Sequence, residues 1–118
     1  MWPLNSVRIY LARQPVDLRK SIDGLSLLVS QVLGEDPFSA HLFVFVNRRR
    51  DKLNALSWDQ NGFVLYYKRL ERGHFRWPMI PTGQTALVID YRQFQWLLSG
   101  LSIEQRLALP AVPARVVA

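Results

Sequence analysis

Leu18, Ile22, Leu25, Val29 and Val32 are spaced four, three, four and three residues apart, which lays one apolar stripe along a helix. Asp17 stands where an N-cap is wanted, and Gly34 where the helix would stop. Ahead of it, Val7 to Leu11 is β-branched and aromatic with weak alternation, a short strand that Gln14-Pro15 ends. Behind it, Glu35-Asp36-Pro37-Phe38-Ser39 reads as a connector. Leu42-Phe43-Val44-Phe45-Val46 is then continuously apolar, as expected for a strand covered on both faces and internal to a sheet.

Asn47 to Asp51 is the turn that follows, and Asp59-Gln60-Asn61-Gly62 the next one. A two-residue Asn61-Gly62 loop pairs Trp58 with Leu65, and a four-residue loop pairs Trp58 with Phe63. Both place Leu56, Trp58, Phe63, Leu65 and Tyr67 on one face, which is expected to be the core face. Ala55, Ser57, Val64, Tyr66 and Lys68 fall on the other, with Phe43 and Phe45 at its far end. Glu71-Arg72-Gly73 resembles a three-residue loop. It pairs Lys68 with Arg76, gathers Tyr66, Lys68, His74 and Arg76, and sends Phe75 and Trp77 to the core face. A two-residue Arg72-Gly73 loop would swap the faces of that last strand. Thr85 to Ile89 reads as one more short strand. Asp90 caps a second helix, with Phe94, Leu97, Leu98 and Leu101 on its apolar side and Gly100 as its stop.

The order of elements predicts an α+β domain, an antiparallel β-meander of about four to six strands packed with two α-helices. Residues 1–104 form this one domain, and 105–118 a tail rich in Pro, Ala and Val. A chain of 118 residues with 49% hydrophobic content is large enough for one core. No apolar run approaches a membrane-spanning length, the N-terminus lacks a secretory pattern, and there is no Cys, so a cytoplasmic protein is expected.

Charge changes the picture most. The net charge is +6, and five of those charges fall between His41 and Trp77. Arg48, Arg49, Arg50 and Lys52 crowd one turn, and Lys68, Arg72 and Arg76 flank the later ones. Arginine can hold phosphate through paired donors, and an exposed Tyr66 could stack on an unpaired base, so these eight residues form the expected nucleic-acid surface. The plainer reading is a solvated loop, or a surface that meets acidic patches on a protein partner. Arg19 and Lys20 fall in the first turn of the first helix, where the helix dipole disfavours cations unless an anion sits there; a second, candidate anion site at these two residues stands beside the plainer reading that both point into water and Asp17 or Asp23 offsets them. Trp58, Tyr67, Phe75 and Trp77 read as core.

Catalytic chemistry finds little footing. Asp17, Asp23, Asp36, Asp59 and Glu71 are the carboxylates available to a metal-dependent nuclease, but most have capping, turn or pairing roles. His41 and His74 lack a third ligand at recognisable spacing, and phosphate-loop and nucleophile-elbow patterns are missing. No cofactor, no metal and no catalytic residues are expected.

Several words of the chain in order resemble one family. They are Asp17-Leu18-Arg19-Lys20, Asp23-Gly24-Leu25, Asp36-Pro37-Phe38-Ser39-Ala40-His41-Leu42-Phe43-Val44-Phe45, Asn47-Arg48-Arg49-Arg50-Asp51-Lys52, Trp58-Asp59, Lys68-Arg69-Leu70-Glu71-Arg72-Gly73 and Phe75-Arg76-Trp77-Pro78. Together they resemble the accessory protein of the second reading frame of type sixty-six insertion-sequence elements, often called transposase B. Ser21 and Ala40 stand where that family usually has Gly. The resemblance implies a role in transposition of a bacterial mobile element, beside a separate transposase that carries the cutting and joining chemistry, and it carries over no catalytic residues. With the charge pattern, it leads to an expectation of DNA-backbone binding with low sequence specificity. The alternative is an adaptor for the transposase with little direct DNA contact.

Overall fold

The computed structural model describes residues 7–105. Residues 106–118, all but the first position of the expected tail, lie outside the described residues. Among the described residues five strands form one sheet: β1 (Ile9–Ala12), β2 (Leu42–Val46), β3 (Lys52–Asp59), β4 (Gly62–Arg69) and β5 (Ala86–Ile89). The helices are α1 (Ile22–Gln31) and α2 (Tyr91–Leu98), and the strand order is β4-β3-β2-β1-β5. The α+β expectation holds, with one topological difference. β1 and β2 run parallel, with Ile9 beside Leu42, and α1 lies between them in the chain, so the sheet is mixed rather than a pure meander. β2 sits at its centre with all five residues buried, as its unbroken apolar run predicts.

Each face of the sheet carries a core. α1 covers one with Leu25 and Val29, packed among Tyr10, Phe43, Phe45 and Leu56. Phe94 and Leu97 of α2 cover the other with Phe75, Trp77 and Ile80, over Leu11, Val44, Leu53 and Ala55. Phe43 pairs with Leu56, which puts Phe43 and Phe45 on the α1 face and corrects their expected place beside Tyr66. The β3–β4 hairpin adopts the Trp58–Phe63 register, with Gln60 at φ 53° in a turn of Gln60 and Asn61, rather than a turn on Asn61-Gly62. Phe38 supports that choice. It meets Trp58 at 5.0 Å and Phe63 at 5.5 Å between ring centroids, while Trp58 and Phe63 meet edge to face at 5.0 Å.

The helix starts split the sequence expectation. Asp90 caps α2, accepting from Gln93 N, while the Gln93 side chain accepts from Asp90 N. Asp17 does not cap α1. Its carboxylate takes the Arg19 backbone N–H and guanidinium, so the cap passes to Ser21, whose Oγ accepts from Gly24 N at 3.5 Å. Arg19 and Lys20 therefore precede the helix instead of occupying its first turn. At the other end Val32 is exposed and Leu33 is buried in its place, as the chain turns out of the helix toward Gly34 at φ 68°.

The segment after β4 departs most from expectation. Residues 70–81 form no strand, and the Lys68–Arg76 pairing does not exist. The segment crosses instead to the Asn47–Asp51 turn: Leu70 N donates to Asp51 O at 2.8 Å, and Phe75 N to Arg50 O at 2.7 Å. Phe75 and Trp77 pack on the α2 face, opposite to the face predicted, and Trp77 Nε1 donates to Ala12 O at 2.9 Å. Those buried anchors outweigh the single edge pairing that a further strand would have made. No helix among the described residues is long and apolar enough to cross a membrane.

Candidate nucleic-acid interface

The arginine turn owes its shape to Asn47. Its Oδ1 accepts from Asp51 N at 3.1 Å and Lys52 N at 3.0 Å, its Nδ2 donates to Asp51 Oδ1 at 2.7 Å, and its carbonyl accepts from Arg50 N at 3.0 Å. An Asn that replaces missing ladder bonds lets a short loop reverse without burying its arginines. That same Asn47 bond is the main reason the Asp51 carboxyl sits below its ordinary pKa, helped by Lys52 and Arg49. His74 braces the turn from outside, donating through Nδ1 to Arg49 O at 2.8 Å.

A second loop comes alongside. Val16 N donates to Val46 O at 2.9 Å, so the chain leaving β1 is stitched to the end of β2 where the arginine turn begins. Between the loops lies a cleft of about 700 Å³. Pro15, Val16 and Leu18 give it apolar surface, Arg19, Arg48, Arg49 and Lys52 give it cations, and Tyr67 of β4 completes the wall. Tyr67 is 53% exposed, a correction to its expected place in the core. α1 begins only at Ile22, and the β3 partner of Tyr67 is the polar Asn54.

Two predicted sites thus become one, since Arg19 of the expected anion site shares the cleft with Arg48, Arg49 and Lys52. Lys20 is exposed but does not line it. Arg50 does not line it either: it borders a separate hollow with Arg13, Trp77 and Met79. Tyr66, 37% exposed, pairs with Ala55 on the α2 face. Lys68 is on that face too, its Nζ donating to Leu98 O at 2.7 Å at the C-terminal end of α2. Arg72 and Arg76 are exposed on the crossing segment and do not join the cleft.

Asp17 and Tyr67 are the members that sequence reasoning missed. Asp17 pairs with Arg19 at 2.8 Å, and the Arg19 side-chain and backbone hydrogen bonds hold its carboxyl down at about 2. The cleft is therefore cationic with one internal carboxylate. A signal for Tyr67 was present in the hairpin register, which sets Tyr66 and Tyr67 on opposite faces, but the extent of helical cover was not. Among the described residues no group of three or more His, Cys, Asp or Glu is placed to hold a metal ion.

With this geometry in view, the family described as IS66 Orf2 like protein matches residues 7–108. An uncharacterized protein, y4jC, of Sinorhizobium fredii is 39% identical over 99 residues, covering 84% of this chain and 83% of its own. A second protein of that organism, y4hO, also uncharacterized, is 38% identical over 96 residues, covering 81% and 82%. No solved structure matches the chain.

Proposed function

The chain belongs to the IS66 Orf2-like family, which suggests an accessory role in transposition, and from that premise we propose that it binds nucleic-acid backbone with low sequence specificity through the Arg48–Arg49 cleft. The observation that carries this reading is the convergence of Arg19, Arg48, Arg49 and Lys52 from two segments distant in sequence on one concavity. Arginine and lysine so placed bind phosphates by charge and read no base. On this reading the cutting and joining belong to a separate transposase.

If the four cations each neutralise one phosphate, log affinity for duplex DNA falls against log salt with a slope of roughly −3.6. Replacing Arg48 and Arg49 together by Ala is expected to bring that slope to roughly −1.8. A gel-shift salt series measures both, and a slope unmoved by the double substitution would remove the cleft from the interface.

One observation favours a second reading, an adaptor for the transposase. β4 is an edge strand of eight residues, and Val64, Tyr66 and Tyr67 on it are exposed, a surface suited to a protein partner. Co-purification with the transposase after nuclease treatment, without retardation of DNA at low salt, would make the adaptor the better account.

A further inference from the structure

We infer that the cleft takes an unpaired nucleotide of a single strand, its base against Tyr67 and its phosphates on Arg48, Arg49 and Lys52. This rests on the nucleic-acid reading above and adds the substrate class to it. Phosphate binding alone accounts for the cations and leaves the rest of the cleft unexplained. A purely anionic ligand has no use for the apolar surface of Pro15, Val16 and Leu18. A nucleobase uses such a surface, because its π face stacks on tyrosine and on apolar side chains whatever its sequence.

Size points the same way. About 700 Å³ is the scale of a site for a small molecule, for which pockets of roughly 300–1,000 Å³ are usual. A double helix keeps its bases stacked inside and offers such a hollow no free base face. An unpaired strand can offer base and phosphate together. Tyr67 is also on β4, an edge strand of the sheet, and is exposed there.

The test is fluorescence anisotropy at low salt with labelled oligothymidylate, oligouridylate and a duplex of equal length, the first two separating DNA from RNA as the source of the strand. Tyr67→Leu is expected to weaken single-strand binding about tenfold and to leave duplex binding within about twofold, while Tyr67→Trp keeps single-strand affinity. Circular dichroism of each variant checks folding. Should Tyr67→Leu fail to fold, NMR of the native protein gives the answer: oligothymidylate is expected to move the Tyr67 ring protons upfield, and duplex is not. Equal loss on all three probes, or no loss on any, or unmoved ring protons, would overturn the inference and leave backbone binding standing. Failure of the native protein to bind any probe would overturn both.

Discussion

Asp17 shows how one residue sets the character of the cleft. Its carboxylate holds the Arg19 guanidinium through Nε at 3.0 Å and Nη2 at 2.8 Å, so a phosphate must compete for that arginine. Asp17→Asn keeps the turn geometry available to an acceptor oxygen and removes the competing charge. It is expected to tighten nucleic-acid binding about threefold, measured by gel shift at fixed salt, and no change would mean that Arg19 takes no part. The pH behaviour follows from the same pair. The Asp17 carboxyl is lowered from 3.8 to about 2 by its bonds with Arg19, so its ion pair is fully present above the ordinary value and is lost as pH falls through about 2. A carboxyl NMR titration with a midpoint near 2 checks it. The identity of the cations was legible in the sequence; their pairing was not. Arg19 and Arg48 are 29 positions apart, and only the parallel placement of β1 beside β2 brings their loops together.

Turns, caps and crossings decide matters at the scale of the element. Asp17 and Asp90 look alike in the sequence as helix starters, yet only Asp90 has Gln three positions on to complete a reciprocal cap, whereas Asp17 has Lys20 there. The arginine turn gives a sharper case. Arg50 adopts φ 61°, a left-handed conformation that costs a non-glycine residue roughly 1 kcal/mol, and its carbonyl is held by Phe75 N. Arg50→Gly is expected to relieve that strain and raise stability by up to about 1 kcal/mol, read by urea denaturation. Because Arg50 lies outside the cleft, single-strand affinity should hold in the same variant, whereas Arg48→Ala lowers it. A loss at Arg50 equal to that at Arg48 would mean that the turn acts as an undivided cluster of charge.

For the molecule as a whole, the crossing segment of residues 70–81 joins its parts. Trp77 reaches from that segment to Ala12 at the end of β1, and its burial closes the α2-side core. Trp77→Phe keeps most of the apolar volume and leaves the Ala12 carbonyl without that donor. The expected cost is about 1–2 kcal/mol, or a melting temperature lower by roughly 10 °C, which thermal denaturation measures. By itself the sequence determined the elements whose causes are local: the five-residue apolar run of β2, the Asp90 cap of α2, the hairpin between β3 and β4, and the cations of one turn. Periodicity, cap chemistry and composition act over a few residues, so they are visible without coordinates. Tertiary structure alone decided that Tyr67 is exposed, that Arg19 shares a cleft with Arg48 and Arg49, and that Phe75 and Trp77 cover the α2 face. Those outcomes depend on contacts between distant segments, where burial of a large side chain against another element outweighs local pairing preference.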